Sequence, residues 1–182
     1  MLPINIPVLY FDKSLLLFVN QFHSNILDKT VEIISNIGEY AIIWIIIAIT
    51  LAILDKKNAK RFLLTLAIAL IAELLLNDGI IKHLFFRERP YLALINIYHV
   101  GLNWSNSSFV SGHTASSVAS LIVIGSYYKK MIAPCAIITL IMIYTRFYLG
   151  MHYPTDILGG IVVGALAGYS AVSLIKRAKK KV

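Results

Sequence analysis

Three short polar clusters in this sequence carry the residue types that could do chemistry. Each one places a basic or hydroxyl side chain near an imidazole, a carboxylate or a glycine. In chain order the clusters are Lys82-x6-Arg89-Pro90, Ser111-Gly112-His113 and Arg146-x5-His152-x3-Asp156. Together they supply cations for an anion and titratable groups beside it.

The cations of these clusters are suited to phosphate. Lys82, Arg89 and Arg146 bring three positive charges, and guanidinium groups bind tetrahedral oxyanions in a bidentate way. The backbone at Gly112 lies at the predicted start of a helix, where free N–H donors and the helix dipole favour an anion. Ser111 adds a hydroxyl beside it. We therefore expect a phosphate-binding site built from these five residues.

Two histidines and one aspartate complete the set. His152 and Asp156 are four residues apart, so a turn of helix after Pro154 would let the carboxylate accept the imidazole N–H. A histidine held in this way is a candidate nucleophile. His113 is then the candidate acid that protonates a departing oxygen.

The elements that position these clusters are predicted to be membrane-spanning helices. The 182 residues are 58% hydrophobic and 14% charged, against about 45–50% and about 25% for an average soluble domain. This composition excludes a disordered chain and disfavours a soluble one. The single cysteine, Cys135, excludes an internal disulfide. We expect an all-α integral membrane helical bundle forming one domain over residues 1–182.

Five apolar segments have about the length that a bilayer core requires. They cover residues 40–54 with an extension back to 33, 62–81, 109–128, 131–149 and 157–175. Residues 1–34 form an amphipathic N-terminal segment, better suited to the membrane interface than to a crossing. Because a short crossing there stays open, the expectation is five to six transmembrane helices with an amphipathic N-terminal helix.

The positive charge orients this bundle. The net charge is +8, and eleven of the 17 basic residues fall between spans one and two, between spans three and four, and after span five. An excess of Lys and Arg marks the cytoplasmic side, so the C-terminus is predicted to be cytoplasmic and loops 78–108 and 146–156 to face outward. The three clusters then meet at the outer face. Topology also explains the basic residues without nucleic acid as a partner.

These clusters resemble the signature of the type 2 phosphatidic acid phosphatase superfamily, which reads K-x6-RP, P-S-G-H and S-R-x5-H-x3-D. Spacing within each motif is the same here, over residues 82–156. Two positions depart from the pattern. Val110 stands where the family usually has Pro, and Thr145 where it usually has Ser.

The resemblance implies a membrane phosphatase with a phosphohistidine intermediate. His152 would attack phosphorus, Asp156 would orient it, and His113 would be the general acid. The residues that would hold the phosphoryl oxygens are Lys82, Arg89, Ser111, Gly112 and Arg146. Neither a metal nor another cofactor is expected.

The expected substrate is a lipid phosphate, delivered by membrane lipids to a site at the bilayer surface. The compact chain resembles the small bacterial enzymes that convert undecaprenyl diphosphate to undecaprenyl phosphate. Phosphatidylglycerophosphate, phosphatidate and lipid A are the alternative substrates within the family. A bacterial plasma membrane is the expected location, with the active site facing the periplasm or the outside.

Two functions from other classes are the alternatives to a lipid phosphatase. Vanadium-dependent haloperoxidases share the anion site, but they are soluble and the apolar spans disfavour them. A non-catalytic phospholipid binder or transporter would keep the pocket without turnover.

Three further polar residues lie near the clusters. Arg87 and Glu88 fall inside the first motif but off its fixed positions, and they are interpreted as charges on the outer rim. Glu73 falls within the second span, where an acid is costly and often functional, and its role stays open.

Overall fold

The structure, a computed structural model that describes residues 3–180, is built from helices. In chain order they are α1 (Tyr10–Asn20), α2 (Asn25–Gly38), α3 (Ile42–Leu54), α4 (Ala59–Leu76), α5 (Lys82–Leu84), α6 (Pro90–Ala93), α7 (Gly112–Tyr127), α8 (Ile132–Tyr148) and α9 (Pro154–Lys180). Strands β1 (Ile4–Asn5) and β2 (Phe85–Phe86) form one short parallel pair. The all-α expectation is met apart from this pair.

Four helical segments of residues 3–180 are long and apolar enough to cross a bilayer. They are Asn25–Leu54, Ala59–Leu84, Lys129–Tyr148 and Pro154–Ala178. The first joins α2 and α3 through a tight turn in which Tyr40 and Ala41 adopt left-handed φ values of 49° and 60°. The chain is therefore an integral membrane protein, while the count of five to six crossings stays a prediction.

The predicted span 109–128 appears as α7, a 16-residue helix in the middle of the bundle. Its alanines Ala115 and Ala119 are fully buried against α9. The two helices approach closely because α9 carries glycines there: a Cβ added to Gly168 would lie only 3.1 Å from the carbonyl oxygen of Ala119. The same close approach continues to Gly160, where an added Cβ would lie 2.7 Å from the Ser111 carbonyl oxygen, so the start of α7, which carries the second motif, is held against the first turns of α9.

The N-terminal segment differs from the single amphipathic element that we expected. Residues 10–20 form α1, and a second helix begins at Asn25 and leads directly into the first long apolar segment. Asp12, Leu16 and Asn20, one turn apart, are all buried on one face of α1. Two of these three are polar, so α1 is fastened by specific polar contacts as well as by apolar packing.

The basic turns lie at the end of the bundle opposite the motifs. The Tyr127 hydroxyl is 2.8 Å from the Thr65 hydroxyl, and the ring centroids of Phe62 and Tyr128 are 5.0 Å apart. These contacts bring the 56–61 turn and the 129–130 turn to the same end. The predicted alternation of the spans is therefore consistent with the packing.

Candidate active site

Six of the eight predicted site residues line one cavity of about 500 Å³. They are Lys82, Arg89, Gly112, His113, Arg146 and His152. Ser111 and Asp156 are fully buried and lie outside the lining. Four helix ends converge here, as the alternation of the spans predicts.

A widened helical turn positions Lys82. After α4 the chain makes a π-type turn over Asn77–Ile81, and Lys82 follows it at the start of α5. Its Nζ lies 2.6 Å from Oδ1 of Asp78, one turn earlier on the same helix. The lysine is thus held at the cavity wall by a partner of its own segment.

Arg89 precedes the short helix α6 and lies across the cavity from α7. It donates to Oδ1 of Asn106 at 2.7 Å and to the carbonyl of Met151 at 3.3 Å, and its NH1 lies 3.5 Å from Nε2 of His152. Its buried Nε has no partner in the part of the chain that is described. Burial lowers the pKa of Arg89 from its ordinary value. This cation is therefore close enough to share an anion with His152.

The second motif forms the start of α7. Ser111 is the N-cap, and its Oγ accepts from the backbone N–H of Thr114 at 3.4 Å and from the Thr114 hydroxyl at 3.1 Å. Gly112 faces the cavity, and a Cβ there would lie 3.1 Å from Nδ2 of Asn77. The serine that we expected at the phosphate is therefore engaged in capping, whereas the glycine faces the cavity.

Arg146 is fixed from two sides near the end of α8. Its Nε donates to the Thr145 hydroxyl at 3.0 Å, and its NH2 donates to the Ser35 hydroxyl. Thr145 is one of the two departures from the family pattern, and it keeps the hydroxyl that Ser would offer. Ser35 lies on α2, outside the three motifs, so spacing within the motifs gave no signal for it.

His152 has a defined proton arrangement. Its Nδ1–H donates to the carbonyl of Ser108 at 2.8 Å, which leaves the lone pair on Nε2 for the cavity. We expected Asp156 to accept this proton, but its Oδ2 is 3.7 Å from Nδ1, beyond hydrogen-bond length. The carboxylate instead acts on the ring as a nearby charge.

Burial lowers the pKa of His152 from 6.5 to about 4, and the positive charge of Arg89 acts in the same direction. The Asp156 carboxylate opposes this shift. Burial prevails, so the imidazole is neutral at pH 7. A neutral ring whose Nε2 carries a lone pair, with the Arg89 guanidinium 3.5 Å away, has the state that a nucleophile requires.

His113 faces the same cavity from α7. Its Nε2–H donates to the carbonyl of Ser35 at 3.2 Å. Ser35 therefore contacts both His113 through its carbonyl and Arg146 through its hydroxyl. One residue of α2 thus ties two motif residues together.

The interpretation of Arg87 as an outer-rim charge is wrong. Its side chain is buried and forms ion pairs with Asp12 at 2.5 Å and Asp156 at 2.6 Å. The sequence around Arg87 does not indicate this burial, because the residue lies off the fixed positions of the first motif. The sequence of α1 does hold a signal for its partner. Asp12 and Asn20 lie on the same helical face as Leu16, so a face that packs inward also carries two polar side chains that need partners.

Glu73 lines the cavity from α4 and is buried. Its Oε1 accepts from Nδ2 of Asn77 at 3.3 Å. The structure therefore places this acid on the wall of the cavity that holds the motif residues. Among residues 3–180, no three His, Cys, Asp or Glu side chains are grouped as a metal site.

Several known proteins are similar to this chain in sequence or in fold. The undecaprenyl-diphosphatase BcrC of Bacillus subtilis is 28% identical over 148 residues, covering 81% of this chain and 74% of that protein. The lipid A 4'-phosphatase of Porphyromonas gingivalis is 25% identical over 172 residues, covering 89% and 72%. The crystal structure of Aquifex aeolicus LpxE has the same fold, with a TM-score of 0.75 at 20% identity, covering 93% of this chain and 99% of that one.

The sequence profile described as the PAP2 superfamily matches residues 58–180, which include all three motifs and the helices α4 to α9 that carry them. This match covers more than half of the chain. The chain therefore belongs to the PAP2 superfamily.

Proposed function

We propose that this protein is a membrane-embedded lipid phosphatase that hydrolyses a phosphomonoester or a diphosphate of a lipid. The observation that carries the proposal is the composition of one cavity. Its inner end holds cations and both histidines, and its wall continues along Ile45, Ile71 and Leu74 of α3 and α4. These three side chains are 43–57% exposed on apolar helices, so the wall extends to the surface that faces lipid. A phosphorylated lipid matches this cavity, with its phosphate at the polar end and its apolar tail along the wall.

The first chemical step uses His152 as the nucleophile. Its Nε2 lone pair attacks phosphorus and the bond from phosphorus to the leaving oxygen breaks, which gives a phosphohistidine. His113, in its doubly protonated form, donates the Nδ1 proton to the leaving oxygen and becomes neutral, while its Nε2–H stays on the Ser35 carbonyl. The ring of His152 gains positive charge in this step, and the Asp156 carboxylate at 3.7 Å stabilises it.

The second step is hydrolysis. Water attacks phosphorus, the bond between phosphorus and Nε2 breaks, and His113 takes back the proton that the water loses. Inorganic phosphate leaves and His152 returns to its neutral form. The charge on the phosphoryl oxygens is held throughout by Lys82, Arg89 and Arg146, with the N–H of Gly112 and the start of α7 at Ser111 beside them.

Undecaprenyl diphosphate is the substrate that we propose, cleaved to undecaprenyl phosphate. The similarity to an undecaprenyl-diphosphatase over 81% of the chain supports this choice. Phosphatidylglycerophosphate, phosphatidate and lipid A are alternatives, and the similarity to a lipid A 4'-phosphatase favours the last among them. The motif residues read the phosphoryl group, whereas the cavity wall contacts the tail.

We also propose the orientation in the membrane. The basic turns lie at one end of the bundle and the site at the other, so the rule that basic loops stay inside puts the C-terminus in the cytoplasm. The active site then faces the periplasm or the outside of a bacterial plasma membrane. The substrate would be taken from the outer leaflet.

The test is phosphate release by the detergent-purified protein in the presence of EDTA. The substrates are undecaprenyl diphosphate, phosphatidylglycerophosphate, phosphatidate and lipid A, each assayed with the wild-type protein and with His152→Ala. We expect release that survives EDTA and falls by at least about a thousandfold in the variant, because a nucleophile has no substitute.

Each outcome bears on a separate part of the proposal. Release that EDTA abolishes would overturn the metal-independent mechanism. Release that persists in His152→Ala would overturn the assignment of the nucleophile. Binding of a lipid without release would support a phospholipid binder or transporter instead.

A further inference from the structure

A buried bridge links the N-terminal helix to the aspartate of the third motif. Arg87 donates through NH2 to Oδ2 of Asp12 at 2.5 Å and through NH1 to Oδ1 of Asp156 at 2.6 Å. Both carboxylates are fully buried, and the arginine is 2% exposed. Asp12 lies on α1, far from Asp156 in the sequence and outside the matched region 58–180.

Other contacts hold this bridge in one arrangement. Oδ1 of Asp12 accepts from the backbone N–H of Thr155 at 3.0 Å and from its hydroxyl at 2.9 Å. Arg87 also donates to the carbonyl of Pro7 at 2.8 Å, and its guanidinium lies 4.3 Å from the centre of the Tyr153 ring. Residues 7–12 are therefore fastened to the first turn of α9, next to His152.

The charges of the bridge bear directly on His152. Two carboxylates and one guanidinium leave the group with a formal charge of −1. The second oxygen of Asp156 lies 3.7 Å from Nδ1 of His152, so this excess charge faces the ring that becomes positive when it is phosphorylated. If Asp12 were neutral, Asp156 alone would pair with Arg87. The two charges would cancel, and Asp156 would present no net negative charge to His152.

We propose that Asp12 is a positioning residue for the reaction, holding Arg87 so that Asp156 keeps its negative charge towards His152. The N-terminal segment is then part of the support of the active site, although it lies outside the family match. This inference rests on the proposed function, since it needs a ring that gains positive charge. It assigns Asp12 and Arg87 a role in the rate of the reaction, beyond anchoring α1.

The first test is Asp12→Asn, assayed with whichever of the four lipids named above the wild-type protein cleaves fastest. We expect kcat to fall roughly 10- to 100-fold, by analogy with the loss that follows removal of an outer partner of a metal-binding histidine. The KM should stay within about twofold, because Asp12 does not line the cavity. Asp12→Glu keeps the charge and should recover part of the lost kcat.

Asn20→Ala is the matched control. Asn20 is the other buried polar anchor of α1, and its Nδ2 donates to the carbonyls of Tyr98 and Tyr148 at 2.8 and 2.9 Å. The variant should lower the melting temperature in detergent while kcat stays within about twofold. If it loses as much kcat as Asp12→Asn at an equal loss of melting temperature, the role of Asp12 is anchoring alone and the inference is wrong.

A double-mutant cycle tests the route through Arg87. In the Arg87→Gln background, Asp12→Asn should cause no further loss of kcat, because its effect needs the arginine. Losses that multiply would overturn the inference. If Asp12→Asn does not fold, Arg87→Lys takes its place: it keeps the charge but offers one nitrogen in place of the two that reach Asp12 and Asp156, and an unchanged kcat would contradict the role.

Failure of the inference differs from failure of the proposed function. A wild-type protein that releases no phosphate from any of the four lipids contradicts the function itself. A wild-type protein that is active and loses activity in His152→Ala, together with a fully active Asp12→Asn, contradicts only the inference.

Discussion

At the scale of single residues, one backbone carbonyl sets the tautomer of His152. The Ser108 oxygen takes the proton of Nδ1, so the lone pair of Nε2 points to the cavity where Arg89 lies 3.5 Å away. Burial keeps the ring neutral, and the negative carboxylate of Asp156 lies 3.7 Å from its Nδ1. This tautomer is the one that the proposed attack on phosphorus requires.

The lowered pKa of His152 predicts a pH dependence of stability. The folded protein holds this ring at a pKa of about 4, against about 6.5 in an unfolded chain, so only the unfolded chain takes up the proton as the pH falls between these values. The stability that comes from the neutral ring is complete above pH 6.5 and is lost on the way to pH 4. The loss is on the order of 3 kcal/mol, at about 1.4 kcal/mol per pKa unit.

Thermal unfolding in detergent at pH 7.5, 6 and 5 would measure this loss. The control is His152→Gln, which has no proton to take up at this position. We expect the wild-type protein to lose more stability on acidification than the variant does. Parallel curves for the two proteins would show that His152 is not held neutral by the fold.

At the scale of elements, the contact between α7 and α9 fixes the site. The N–H of Ser111, at the start of α7, donates to the carbonyl of Asp156 on α9 at 3.1 Å. Glycines along α9 allow this approach. The second and third motifs are therefore held together by backbone as well as by side chains.

Gly160→Ala tests this contact. A Cβ at Gly160 would lie 2.7 Å from the Ser111 carbonyl oxygen and 3.0 Å from Cβ of Thr114, so the helices must separate. Overpacking of this kind costs about 1–3 kcal/mol, and we expect a lower melting temperature in detergent. Gly79→Ala is the control, because no atom lies within 4 Å of its added Cβ. Equal stability of both variants would contradict the importance of close packing.

At the scale of the whole molecule, the exposed basic turns and the candidate active site lie at opposite ends of the bundle. The turns at 56–61 and 129–130 share one end, and the cavity occupies the other. The apolar surface between them matches the bilayer core. The orientation proposed above puts the basic turns in the cytoplasm and the cavity on the outer side.

Two variants test this orientation, each adding one exposed cysteine to the native Cys135, which is fully buried. Lys57→Cys places a thiol in an exposed basic turn, and Asn103→Cys places one in an exposed loop at the site end. With a membrane-impermeant maleimide on intact cells, we expect Asn103→Cys to be labelled and Lys57→Cys to be labelled only after permeabilisation. The wild-type protein should stay unlabelled, and the reverse pattern would invert the proposed orientation.

Local patterns in the sequence were enough to predict the bundle and most of the cavity. Apolar runs predicted the membrane helices because a bilayer imposes a length on each of them, and motif spacing brought six predicted residues to one cavity. Successive spans cross in opposite directions, so this alternation places the three clusters at the same end of the bundle. These properties depend on residues that are near one another in the chain.

The tertiary structure alone decided which side chains support the site. Ser35 reaches Arg146, Ser108 takes the His152 proton through its backbone, and Asp12 shares Arg87 with Asp156. Each of these pairs joins helices or loops distant in the sequence, so no spacing records it. The sequence by itself determined the membrane helices and the candidate reactive residues, whereas the packing of those helices determined which buried charges and protons these residues share.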